Sequence, residues 1–155
     1  MPLNLPQELD RLASELMEYA REGLSREGEL YPIGAAITPE QEVQWCAIAD
    51  DAHELSDVSV ADELESLVNG MSADARAGRF VATGVLCQAI VVPPEGQNKV
   101  DAVELRLDHR SGDSVRVFVP YALDSGGVSF QRLFTSEGDA SMFHQGLIRI
   151  QNTNA

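Results

Sequence analysis

Apolar residues recur at steps of three and four near the start of the chain. Leu5, Leu9, Leu12, Leu16 and Tyr19 fall on one face of a helix predicted over residues 4–23. Asn4 is placed to cap it, and Pro6 suits the first turn, where its missing amide hydrogen is not needed. Glu8, Asp10, Glu15, Glu18 and Glu22 take the wet side, and Gly23 or Gly28 ends the helix. Tyr31 to Ile37 reads as a short buried strand and Val43 to Ala49 as its hairpin partner, carrying Trp45. Asp50 to Asp57 reads as a polar loop. A second helix follows, with Ser59 and Asp62 as a capping-box-like start. Its stripe is Val60, Leu64, Leu67, Val68, Met71 and Ala75, and Gly78 stands where a left-handed cap belongs.

The pattern then changes to a period of two. Phe80 to Val92 is apolar on both alternating sets, as in a central strand covered on both faces. Lys99 to His109 alternates: Val103, Leu105 and Leu107 are expected inward, with Ala102, Glu104, Arg106 and Asp108 outward. Ser114 to Tyr121 alternates again, with Val115, Val117, Val119 and Tyr121 inward and Arg116 outward. Val128 to Thr135 reads as a last strand. Its helical or irregular sequel reaches Ile150, and the tail 151–155 is polar and expected to fray.

These elements predict an α+β fold: an antiparallel sheet of about five to six strands with two main helices, in the order α-β-β-α-β-β-β-β. Both helices are expected to cover one face. Residues 1–150 form a single domain in this reading, without repeats or a linker. The same order of elements occurs in profilin-like and roadblock-like domains, a likeness of topology only.

Charge changes the picture more than composition does. The formal net charge is −14. Residues 1–78 hold 17 acids against 4 bases, and residues 79–155 hold 8 against 7. An acidic surface of that kind repels phosphate backbones, which argues against nucleic-acid binding. It suits a basic protein partner, although solubility alone also accounts for it. No stretch approaches the ~20 apolar residues of a membrane span, and the start of the chain lacks a basic and then apolar leader, so a cytoplasmic location is expected. Cys46 and Cys87 lie in apolar strand-like runs and read as buried free thiols.

Candidate chemistry is sparse. Asp50, Asp51, His53 and Glu54 are the metal candidates, since carboxylates and an imidazole near one another can hold a divalent cation. Their spacing matches no metal-binding loop, and a solvated acidic loop explains them as well. His109, in Asp108-His109-Arg110, sits at a strand end on the Leu105–Leu107 set. With Tyr121 it forms one candidate ligand site, while a packed, hydrogen-bonded edge histidine is the plainer reading. Arg116 and Phe118 form another, because an aromatic ring on a wet face needs a cover. The C-terminal segment or a second subunit could supply it. His144 takes no assignment. The chain has no nucleophile elbow, phosphate loop, dinucleotide fingerprint or Cys-x-x-Cys pair. No catalytic residue and no cofactor follow from the sequence.

Leu30-Tyr31-Pro32-Ile33-Gly34-Ala35, Asp101 through Gly112, and Val117-Phe118-Val119-Pro120-Tyr121 together resemble a family of small bacterial single-domain proteins. That family shows an aromatic-Pro-x-Gly-Ala strand, an acidic-His-Arg turn and a strand ending in Pro-Tyr. The resemblance spans about Leu5 to Phe134 and implies a bacterial origin and an α+β fold. It carries no activity. The expectation is therefore a non-enzymatic interaction module, immunity- or inhibitor-like or a scaffold, engaging a protein partner or a second copy as a homodimer. The alternative is a small-molecule or metal-binding domain, enzymatic or not, at His109 and Tyr121 or at Asp50–Glu54.

Overall fold

A computed structural model describes residues 5–47 and 60–143. The elements are α1 (Gln7–Glu27), β1 (Ile33–Ile37), β2 (Val43–Cys46), α2 (Val60–Arg76), β3 (Ala82–Val91), β4 (Val100–His109), β5 (Ser114–Asp124), β6 (Gly127–Phe130) and β7 (Phe134–Glu137). The fold is α+β, with an antiparallel sheet of seven strands. The order across it is β2-β1-β3-β4-β5-β6, and β7 also pairs with β5.

Helix α1 starts after Pro6, which has an extended backbone and makes no side-chain cap. The helix runs through Gly23 and stops at Gly28, where φ is 73° and the amide returns to Leu24 O at 3.0 Å. The expected cap Asn4 lies outside the described residues, as do Ser59, Asp50–Asp57 and the segment beyond Phe143. Leu9, Leu12, Leu16, Ala20 and Leu24 are all buried. They pack on Ala35, Leu86, Val103, Leu105, Leu107 and the inward valines of β5.

The two helices do not share a face. Leu67, Met71 and Ala75 of α2 pack on Ala36 and Val85, which belong to the opposite alternating set from Ala35 and Leu86. The expectation of both helices on one side is thus corrected, and the reason lies in β1 and β3. Both carry apolar residues in both phases, so each presents two faces that must leave water. Two glycines make room. A Cβ on Gly84 would stand 2.7 Å from Leu16 Cδ1, and one on Gly34 would clash with the Met71 thioether.

The two-sided cover also corrects part of the β4 alternation. Ala102, Glu104 and Asp108, expected in water, are buried on the α2 face. The expected final strand is two strands. Phe130 pairs with Tyr121, but Phe134 pairs with Phe118. Two residues of β5, Val119 and Pro120, therefore face three, Gln131 to Leu133. Gln131 N–H donates to Pro120 O at 2.8 Å, and proline has no N–H to return. The ladder breaks there, and the extra residue bulges outward.

Candidate functional site

On the α1 face, β4 ends at His109. Its Nε2 lies 3.3 Å from Glu8 Oε1 in the first turn of α1, and its Nδ1 accepts from the Ser111 amide at 3.1 Å. The Glu8 carboxyl is held below its ordinary value, first by a hydrogen bond from its own backbone amide, against burial, and then by His109. The histidine ties the β4–β5 turn to the helix start. Tyr121 lies on the same face, buried, at the far end of β5. Burial pushes its hydroxyl up, with Asp101 adding to the effect. The β4–β5 register sets Tyr121 beside Asp101, eight positions from His109 along β4, which is roughly 26 Å at ~3.3 Å per residue. The structure does not bring His109 and Tyr121 into one site.

Arg116 and Phe118 share the α2 face. Arg116 stands opposite Arg106, an unfavourable pairing of like charges. Glu104 relieves it: Arg106 Nε donates to Glu104 Oε2 at 2.9 Å, and Arg116 Nη1 lies 3.8 Å from the same oxygen. Arg116 Nη2 is also 3.9 Å from Asp139 Oδ2. Burial would raise the Asp139 carboxyl, but the Ser141 amide and hydroxyl and then Arg116 hold it low. Asp108, buried beside this group, accepts from Ser114 Oγ at 2.7 Å, and Ser114 Oγ accepts from the Ala140 amide at 3.1 Å. Arg76 donates to Ser141 O at 2.7 Å, and Met142 is buried under α2. Together these contacts strap residues 138–142 across β5. Phe118 stacks on Phe134 of β7, with ring centroids 5.2 Å apart. Phe134 thus covers one face of the ring from within the chain, and Phe118 remains half-buried.

Cys87 is buried, and desolvation pushes its thiol up to about 12. Cys46 is half-buried, and the same cause takes it to about 11. Thiols so raised are poor nucleophiles at neutral pH. Among the described residues no group of three His, Cys, Asp or Glu side chains is placed to hold a metal ion. The metal candidates Asp50, Asp51, His53 and Glu54 lie outside those residues. No described helix is long and apolar enough to cross a membrane.

Two surfaces remain. One is an open cleft of about 610 Å³ between the β3–β4 loop and the bulge opposite Pro120. Pro93, Pro94, Val100, Leu133 and Phe134 form its apolar walls, and Arg132 reaches Glu95 at 3.6 Å. Sequence reasoning missed it because a bulge and a long hairpin loop build it, and neither has a motif. The other surface lies along α1 and β2. Tyr19 and Trp45 are 40% and 44% exposed, with ring centroids 5.7 Å apart. Glu15 and Glu22 flank Tyr19 one turn away on either side. Glu40 and Glu42 are exposed in and after the β1–β2 turn. No protein-family model, curated protein or solved structure matches the chain.

Proposed function

We propose that the protein is a non-enzymatic interaction module whose acidic N-terminal half meets a basic partner protein, in the manner of an immunity protein, an inhibitor or a scaffold. The carrying observation is the division of α1. Its leucine row is committed to the core, while Glu18 and Glu22 are exposed near Tyr19, and Asp10 and Glu27 are exposed farther along the helix. A cationic partner gains from that field in encounter rate and in selection against acidic competitors. The polar groups of greatest chemical promise support the same reading, because His109, Asp108 and Cys87 are each engaged in structural contacts.

The test is affinity capture from lysate of the source organism. Wild-type protein is compared with Glu18→Lys/Glu22→Lys, at low and high salt. One partner in stoichiometric amount, lost with the variant and at high salt, is the expected result. Equal recovery with both baits, or no partner at all, would refute the reading.

The cleft favours a second reading, a binding site for a small, largely apolar ligand. Its volume lies in the range of ligand pockets. Native mass spectrometry would then find extra mass on the folded chain, lost on denaturation and absent from Leu133→Asp. A bare chain mass would count against it.

A further inference from the structure

Strand β2 ends the sheet, and among the described residues nothing pairs with its outer side. The alternation of an antiparallel ladder decides which backbone groups face outward. Thr38 N–H donates to Glu42 O at 2.9 Å, so that pair is hydrogen-bonded. Two residues on, Ala36 with Gln44 is the next such pair, and Gly34 with Cys46 follows. Val43 and Trp45 alternate with these, so their N–H and C=O groups point away from β1. The residues of β2, Val-Gln-Trp-Cys, include no charge and no proline, two usual protections of a free edge. The side chain of Trp45 lies on the α1 face, where it meets Tyr19.

We infer that the β2 edge is a docking strand for an extended, basic segment of the partner protein, which adds to the sheet beside β2 and lays arginine or lysine side chains on the Trp45–Tyr19 pair. The inference rests on the interaction reading above and names the surface that reading would use. Charge complementarity selects the occupant. Glu15, Glu18 and Glu22 stand around Tyr19, and Glu40 and Glu42 lead into the strand. Of the bases on α1, Arg11 is held on Gln41 O at 2.9 Å at the turn, Arg21 lies over the Phe130 ring, and Arg26 stands in the last turn. A cation over an indole or phenol ring is attracted by the ring's quadrupole, and the surrounding carboxylates add to that. The main chain supplies register, and alternate side chains of the added strand fall on the aromatic face. A second copy of this chain is a poorer occupant, since it would bring the same acids against their own kind. Four residues of ladder make few hydrogen bonds, so the aromatic pair and the charges must carry most of the affinity.

Trp45 is the only tryptophan in the chain, so its emission reports directly on this surface. The probe is a short end-blocked peptide alternating arginine and valine, titrated into the whole protein. Controls are the glutamate–valine peptide and an arginine–valine peptide with a central proline. The expected result is a saturable change in Trp45 emission with the first peptide alone. Tyr19→Ser and Glu15→Lys/Glu22→Lys, checked by circular dichroism for an unchanged fold, should each bind it about tenfold more weakly. Equal response to the proline peptide, or unchanged affinity in Tyr19→Ser, would mean diffuse electrostatic attraction and would overturn the inference. So would a concentration-dependent dimer that changes Trp45 emission without peptide. If captured partner is lost with Glu18→Lys/Glu22→Lys but kept with Tyr19→Ser, the interaction module stands and the β2 edge falls.

Discussion

Thr83 is fully buried on the α2 face, and among the described residues its hydroxyl has no hydrogen-bond partner. A buried hydroxyl left unpaired costs its hydration. Thr83→Val keeps the shape and removes that cost, so chemical denaturation should find the variant more stable by about 1 kcal/mol. Asp108 stands opposite Thr83 across the β3–β4 ladder. Burial pushes its carboxyl above the ordinary value, partly offset by the Ser114 hydroxyl. The folded chain therefore binds the proton at a pH where the unfolded chain has already lost it. The resulting stability is full below the unfolded value and is lost as pH rises through the folded one. Asp108→Asn keeps an acceptor for Ser114 and carries no charge. It should exceed wild type at pH 7 by on the order of 1 kcal/mol and lose that margin below about pH 4. Urea midpoints at the two pH values decide it, and a margin that grew on acidification would contradict the assignment. His109 and Asp108 were legible as notable residues from their place at a strand end. Their partners, Glu8 and Ser114, were not legible, because 101 positions separate Glu8 from His109 and only the packing of α1 closes that distance.

At the scale of elements, helix seating depends on small residues in the strands. Gly84 lies under Leu12 and Leu16 of α1, and a methyl there would also meet Leu107 Cδ2 at 3.2 Å. Gly84→Ala should lift the helix or twist the leucines from their rotamers. Overpacking of this kind costs typically 1–3 kcal/mol, and thermal unfolding should show the loss directly. An unchanged melting temperature would mean that α1 is free to shift. The stripe of α1 and the two-sided hydrophobicity of β3 were both readable from periodicity. The side on which each helix lands was not, because a two-faced strand accepts a helix on either face. The split of the last strand also escaped periodicity. It follows from Pro120, whose missing N–H matters only once its partner across the ladder is known.

For the whole molecule, the charge of −14 acts against compactness as well as for solubility. Added salt screens that repulsion over about 10 Å at 0.1 M. The melting temperature should therefore rise with sodium chloride between low ionic strength and roughly 0.3 M. A fall would mean that favourable pairs such as Arg106–Glu104 outweigh the net repulsion. The asymmetry between the halves also separates the two candidate surfaces. The cleft belongs to residues 93–134, within the nearly neutral half. The β2 edge belongs to the acidic half, where a cationic partner is favoured.

The amino-acid sequence by itself determined the class of the fold and its elements up to the last strand. Periodicity and turn residues are local properties, and each segment carries its own. It determined the charge and its imbalance as well, since those need only counting. The tertiary structure decided which face each helix covers, which polar residues are buried and where the sheet ends. It also brought Tyr19 and Trp45 together and opened the cleft beside Pro120. Those outcomes depend on register and on contacts between residues far apart in the chain. A one-residue change of register would have turned a strand's side chains to the opposite face.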